Sequence, residues 1–571
     1  DYVDEYPDTP AKEELETLLI DSYITSKNYK EALVLLEKNN SFENKVAYQK
    51  VAFYRGVELY NDGSYIEAKN SFDKSLGEPR DPSFVTRATY WKAESDYVLG
   101  NHAEAVIGYK QYLGSSQATA TPEYADINYN LAYAYFSGKE YENAANYFEK
   151  YAATNTSDRS RLNDAYLRLG DSRFISSKYW PALEAYNKSI GINLADQDYA
   201  TFQKSMSYGF LDRTADKIEG LSSFTAKFPK SSYRDDALYE LGNVYVAQNK
   251  NAQAIAAYDQ LVDEIPGSSY VSRSLLKKAL IYDNNDRSDD ALNLLKKVAA
   301  DFPGTPEALQ AVTTAKLIYI DLGRVNEYGQ WVSTLDFIDV EDAELDDAAY
   351  TSAEKQYLDN NTNQATKLFG DYLVSYPNGQ HALQAHFYLG QLAFAKADYA
   401  TTIPHYQYVI AKERSEFTEQ ALARLGQVYL SERNYRDAEP VLRRLENEAD
   451  FPQNIIFAQT NLMKSYYELE NYTDAVRYAE TVLTNAKIDN AIKSDAQIII
   501  ARAAMKTGNE GRAKIAYAEV QKIATGAMAA EALYFDAYFK HKAEDFAGSN
   551  TAVQKLAKDY SGYKEFGAKG L

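Results

Sequence analysis

Ala237-Leu-Tyr-Glu-Leu-Gly-Asn-Val-Tyr245, followed by Ala254, Tyr258 and Pro266, is one unit of a pattern that recurs along all 571 residues. Its residue types suit two helices packed side by side. Helices approach closely only where side chains are small, which places Gly242 and Ala254 at the crossing. Leu241, Tyr245 and Tyr258 fill the ridges beside it. Pro266 ends the second helix, because it carries no N–H and its ring clashes with the preceding turn.

The frame returns at Gly56, Gly63, Tyr65, Ala68 and Phe72, and at Leu131, Ala132, Tyr135, Tyr141, Ala144 and Phe148. Leu169, Gly170, Tyr179, Ala182 and Tyr186 make another copy, as do Leu425, Gly426, Tyr429, Tyr435, Ala438 and Leu442. Partial copies stand at Tyr23, Tyr29 and Ala32, at Leu389, Gly390, Tyr399 and Tyr406, at Leu462, Tyr466, Tyr472 and Ala475, and at Ala501, Gly508, Ala513 and Tyr517. This resembles the tetratricopeptide repeat, a helix–turn–helix unit of about 34 residues. The resemblance implies an all-α fold, a right-handed α-solenoid (superhelix) of stacked hairpins with about 15 or 16 repeats. A stack of copies offers a long surface in place of one enclosed core. The expected work is therefore binding of protein partners, not catalysis.

Pro229, Pro266 and Pro303 are spaced by 37 residues, and Pro377 lies 74 beyond Pro303. The missing member falls near Val340, where the chain reads Asp339-Val-Glu-Asp-Ala-Glu-Leu-Asp-Asp347. This predicts an irregular repeat and candidate hinge over 321–347, between an N-terminal array, 1–320, and a C-terminal array, 348–571. The polar stretches Gly114–Thr121, Ala152–Ser160 and Gly191–Asp198 read as loops between repeats. Pro181, Pro404 and Pro440 are expected at or near the first turn of a second helix, where a missing N–H costs little. There is no alternating strand pattern.

Lys and Arg number 61 against 82 Asp and Glu, a net charge of −21. With no basic stripe, the chain lacks the clustered cations on which phosphate binding rests, so nucleic acid is not an expected partner. Cysteine is absent, which excludes disulfides, thiol nucleophiles and zinc–thiolate sites. It suits a protein exported to an oxidising compartment. No apolar run reaches the roughly 18 residues of a membrane span. The first residue is Asp1 rather than Met, and Tyr560-Ser-Gly-Tyr-Lys-Glu-Phe566 continues in repeat style. Both lead us to expect a processed chain or a piece of a longer one.

Of the five histidines, His381 and His386 are the near pair, but a spacing of five does not share a helix face, so no metal site is expected. Asp283–Asp290 looks like a calcium loop until Arg287 occupies a ligand position, with no Gly after it and no closing Glu. It reads instead as a turn between helices. There is no Gly-rich phosphate loop and no nucleophile elbow, and no cofactor is expected. Most of the 51 tyrosines hold packing positions. Some on first helices are expected to face the concave groove: Tyr239 and Asn243, with Tyr388 and Gln391 as their counterparts, are the candidate partner-binding residues. Tyrosine buries much area at small entropic cost, and such a groove suits an extended peptide or a helix. Chaperone-binding members of the family hold a terminal carboxylate with Lys, Asn and Arg. Here Tyr239 stands where the Lys would be and Leu280 where the next Asn would be, so that clamp is absent.

Phe228-Pro-Lys-Ser-Ser-Tyr-Arg-Asp-Asp-Ala-Leu-Tyr239 has the form aromatic–Pro–x–Ser before a helix start. Ile265-Pro-Gly-Ser-Ser-Tyr270, Phe302-Pro-Gly-Thr-Pro-Glu-Ala308 and Tyr376-Pro-Asn-Gly-Gln-His-Ala382 vary it. These resemble the BamD-like and YbgF-like tetratricopeptide proteins of the Gram-negative envelope, which are much shorter. The resemblance implies a periplasmic, outer-membrane-associated scaffold, with envelope proteins as partners and a lipid anchor upstream of Asp1. Its setting would be an outer-membrane assembly or secretion complex. A cytoplasmic adaptor of the same fold is the alternative. A glycan-binding envelope lipoprotein fits less well, because repeats fill the chain and only Trp91, Trp180 and Trp331 could serve as platforms.

Overall fold

The computed structural model describes residues 5, 6, 8–39, 41, 42, 44–154 and 157–570. Among them are 31 α-helices, two 3-10 segments at Ala118–Ala120 and Pro122–Ala125, and no strand. The chain divides into two compact units, 1–294 and 295–571, with the boundary inside the helix Ser288–Asp301. The first unit runs from the hairpin of Lys12–Thr25 and Tyr29–Lys38 to that of Arg234–Ala247 and Asn251–Glu264, then Val271–Asp283. The second runs from Pro306–Leu322 and Val325–Val332 to Gly526–Lys542 and Phe546–Asp559, then Lys564–Gly570. Each is an α-solenoid of helical hairpins in which helices pack chiefly on their sequence neighbours. The helix pairs number fifteen, within the expected range.

One contact repeats inside the hairpins. A Cβ added at Gly56 would lie 2.5 Å from the Phe72 ring, and one at Gly170 2.5 Å from the Tyr186 ring. At Gly242 it would be closer still to Tyr258, at Gly390 2.7 Å from Tyr406, and at Gly426 3.0 Å from Leu442. In every case the large residue follows the glycine by 16 positions. Thus Gly242 accommodates the ring of Tyr258, and not Ala254 as the spacing suggested: a gap on one helix is filled by a large side chain of its partner. Ala93 and Tyr109, Ala132 and Phe148, Ala353 and Phe369, and Ala501 and Tyr517 repeat the spacing with alanine, all buried. In the hairpin 452–483 the order is reversed, with Met463 in the small position and Ala479 in the large one, both buried in one core.

Polar side chains link successive hairpins. Ser231 of the Phe228-Pro-Lys-Ser linker donates to Asp198 Oδ2 of the preceding first helix at 2.6 Å, and Ser268 does the same to Asp235 at 2.7 Å. Tyr270 OH reaches Asp236 at 2.8 Å, and Asp346 accepts from the Gln380 N–H at 2.7 Å. Glu419 accepts the N–H groups of Asp450 and Phe451 at 2.9 and 3.1 Å, with Asn454 Nδ2 at 2.7 Å. A carboxylate on one first helix thereby takes up the orphan donors at the start of the next, where the helix dipole also favours negative charge. The acidic run 339–347 has this use: Asp342 and Glu344 lie in the first turn of Asp342–Leu358, and Asp346 is buried against the next linker.

Two expectations change in detail. Pro181 is the third residue of Tyr179–Ile192, but Pro404 and Pro440 are each the sixth residue of their helices, Tyr399–Ala411 and Tyr435–Glu448. Those helices start at the register at which Tyr65, Tyr141 and Tyr179 begin theirs, and Asp398 and Asn434 cap them by accepting from Thr401 and Asp437. The carbonyls of Ala400 and Arg436 therefore lose their usual donor. The loop read at Gly191–Asp198 shrinks to 193–196, bent by Asn193 and Asp196 at φ 58° and 60°. Of the loop Ala152–Ser160, residues 155 and 156 lie outside the described residues. The irregular segment 321–347 holds the shortened second helix Val325–Val332, of 8 residues, and Asp283–Asp290 is the turn between Val271–Asp283 and Ser288–Asp301.

The interlock predicts opposite outcomes for two Gly→Ala changes, measured by thermal and denaturant unfolding. Gly242→Ala forces a methyl into the Tyr258 ring and should cost about 1–3 kcal/mol. Gly370 sits in the middle of Thr362–Ser375 with open space around its Cβ position, so Gly370→Ala should stabilise by about 0.5–1 kcal/mol.

Candidate partner-binding groove

All four candidate residues are half-buried. In the first unit, the Tyr239 ring stacks on Tyr270 of the next linker at 4.6 Å and 21°. Asn243 Oδ1 accepts from the buried Tyr258 OH at 2.9 Å. Tyr239 ties its hairpin to the next linker and Asn243 ties the two helices of its own hairpin, so a free docking role is not what their contacts describe. In the second unit, Tyr388 packs between Tyr357 at 4.6 Å and Phe369 at 5.5 Å. Gln391 Oε1 accepts from Tyr357 OH at 2.8 Å and lines a cavity.

That cavity, of about 540 Å³, is formed largely by first helices: Tyr357 and Leu358 of Asp342–Leu358, Gln391 and Phe394 of Ala382–Ala395, and Gln420 and Arg424 of Thr418–Ser431. Tyr406 of the second helix Tyr399–Ala411 also lines it. A second cavity of about 560 Å³ shares Gln420 and Arg424 and continues to Gln427, Phe451 and Phe457. The two form one groove across four successive first helices of the second unit. Leu358 and Phe451, large apolar side chains on its walls, are 69% and 64% exposed.

Arg424 is common to both halves. Its guanidinium lies over the Phe394 ring at 4.7 Å, a cation–π contact, and donates weakly to Gln427 at 3.4 Å. Arg414 at the mouth is paired with Asp450 at 2.6 Å, and Glu419 is occupied by the helix start it caps. The pattern of one unit, read from sequence, located Gln391 but missed Arg424, Tyr406, Leu358 and Phe451. A partly buried Arg at a first-helix position outside the repeat signature was the available signal.

Tetratricopeptide-repeat models match residues 92–159, 236–268 and 273–305. The chain carries tetratricopeptide repeats. Among solved structures it is similar to the C-terminal part of a TPR repeat-containing protein from Cytophaga hutchinsonii, at 16% identity, covering 45% of this chain and 98% of that one with a TM-score of 0.37. A tetratricopeptide repeat protein from Parabacteroides merdae is 16% identical over 47% of this chain and 98% of its own, with a TM-score of 0.31. YrrB, described as a TPR protein with an unusual peptide-binding site, is 16% identical over 36% and 96%, with a TM-score of 0.27. No curated protein matches the chain. Tetratricopeptide repeats mediate protein–protein interaction, and no helix among the described residues is long and apolar enough to cross a membrane.

Within the hairpin 382–411 the histidines pair in an unforeseen way. His386 faces His405 across the two helices, Nδ1 to Nδ1 at 2.8 Å, and stacks on Tyr408 at 3.8 Å. The spacing of 19 residues hides this pair from a single-helix reading. Burial, His405 and Lys412 push His386 down to about 4, and burial pushes His405 down as well. Both rings are neutral in the folded state at pH 7. Below the ordinary histidine range of about 6.5 the unfolded chain takes up protons that the folded chain refuses, so stability falls with pH. Unfolding free energy followed from pH 7 to 4 should decline across that window. In His386→Gln the decline should be shallower, and an unchanged slope would show that these rings do not carry it.

Proposed function

We propose that this protein is a non-catalytic scaffold of the bacterial cell envelope that holds protein partners in the groove of its second unit. The observation that carries the reading is the continuous groove over four first helices, with exposed Leu358 and Phe451 on its walls. Exposed apolar side chains on the walls of a groove suit a partner that covers them. Periplasmic residence, as an accessory of an outer-membrane assembly or secretion complex, is supported by the aromatic–Pro–x–Ser linkers and the absence of cysteine.

Tyr239 and Tyr388 are built into the packing, so the groove is better tested at its exposed positions. Crosslinking in intact cells, followed by purification and mass spectrometry, should recover envelope proteins with the wild-type chain. The double variant Leu358→Ser with Phe451→Ser should keep its melting temperature and lose the main partner. A folded double variant that recovers the same proteins would remove the groove from the proposal. Recovery of cytosolic proteins alone would overturn the compartment.

A further inference from the structure

We infer that the groove selects an extended acidic segment, with one glutamate or aspartate side chain of the partner bound to Arg424 and apolar residues on either side of it. The inference rests on the groove being the partner site. Three features of the second unit carry it.

First, Arg424 is the single charged side chain lining the cavity between Tyr357 and Gln420. A planar guanidinium held over an aromatic ring keeps its outer N–H edge for a ligand, and a carboxylate is the partner whose geometry matches that edge. Second, Tyr406 lines the same cavity, and its buried hydroxyl has no hydrogen-bond partner. A buried donor left unpaired is costly unless something reaches it. Burial pushes this phenol up and the Arg424 charge pulls it partly back, which places the two groups within electrostatic reach. Gln391, which accepts from Tyr357, lines the same cavity. This half of the groove thus offers a positive charge with no lining carboxylate, whereas Glu416, Glu419 and Asp450 line the adjoining half, where Asp450 is paired with Arg414 and Glu419 caps the next helix.

Third, the exposed apolar side chains stand on both sides of Arg424. Leu358 ends the first of the four helices and Phe451 precedes the last. The occupant is therefore a short extended segment with an acidic centre and apolar ends. The terminal-carboxylate clamp of the family would stand at Ala423 and Gln427 in this hairpin, by the register of Tyr239 and Asn243. Arg424 approaches from a different position, so the recognition is of a side chain within the segment.

The test uses the full chain and fluorescein-labelled nonapeptides with leucine near both ends, serine spacers, and glutamate, glutamine or lysine at the centre. Their termini are blocked, so the central side chain is the only carboxylate. Fluorescence anisotropy should show the glutamate peptide binding at least about tenfold tighter than the glutamine peptide, as a charge-assisted hydrogen bond requires. Arg424→Gln should abolish that difference and Arg424→Lys should keep part of it. Tyr406→Phe should weaken the glutamate peptide while the melting temperature holds or rises, which a purely structural hydroxyl would not give. Equal affinity for glutamate and glutamine peptides, or a preference that survives Arg424→Gln, overturns the inference. If the peptides bind alike and Phe451→Ser weakens them all, the groove stands without its acidic selectivity. If the wild-type chain binds none, the groove and the inference fall together.

Discussion

A side chain of the second helix seated against a residue that has almost none on the first is the contact on which this structure depends. The ring of Phe72, Tyr186, Tyr258 or Tyr406 occupies the space a Cβ would take. That fixes how near the helices come and their relative register, because the ring has one place to go. The 16-residue separation follows, since it spans the end of one helix, a tight turn and the start of the next. Packing interiors are as dense as crystals, so the pair tolerates neither a larger residue in the gap nor a smaller knob without loss. Stacking of hairpins is a separate matter, carried by apolar cores shared between neighbouring hairpins and by polar contacts at the helix starts.

Those polar contacts explain the composition. The chain has 51 tyrosines and 82 acidic residues, and many meet. Tyr129 reaches Asp164 at 2.7 Å; Tyr186 and Tyr199 both reach Asp171, at 2.9 and 2.7 Å. Tyr478 donates to Glu446 at 2.9 Å, and Tyr517 to Glu531 at 3.0 Å, which Arg502 also holds. A tyrosine fills the apolar seam with its ring and still satisfies its hydroxyl at the rim. A carboxylate gathers such hydroxyls together with backbone donors. The linker serines Ser231 and Ser268 belong to the same system, so the aromatic–Pro–x–Ser form has a stacking reason of its own beside any family likeness.

The hairpin order was legible because small and large residues recur at fixed offsets, and those offsets are a local property of helix and turn. What faces what was less legible. Gly242 pointed to a close crossing, but only the structure shows that Tyr258 fills it. From the sequence Pro404 and Pro440 stand near helix starts, but their helices already begin at Tyr399 and Tyr435, five residues earlier. Among the candidate site residues, Gln391 lies in the groove, whereas Tyr239 is held by Tyr270 of the next linker and Asn243 by Tyr258 of its own hairpin. Contacts between repeats join residues some 31 to 36 positions apart, as between Glu419 and Asp450 or Arg414 and Asp450. No periodicity inside one unit announces them. The His386 and His405 pair joins the two helices of one hairpin across 19 residues, and Arg424 stands at a position outside the repeat signature, so neither shows in the frame.

The reversed pair Met463 and Ala479 has a consequence for how such a chain can be rearranged. Each knob and its gap lie within one hairpin, so a crossover in a linker between hairpins moves them together and leaves every seam matched. A crossover in the turn inside a hairpin does not. Joining the first helix that ends at Ala247 to the second helix that carries Ala479 would set a glycine against an alanine and leave a void. The reciprocal product would drive Met463 into Tyr258. The seam therefore makes the whole hairpin, and nothing smaller, the piece that recombination can copy, delete or exchange.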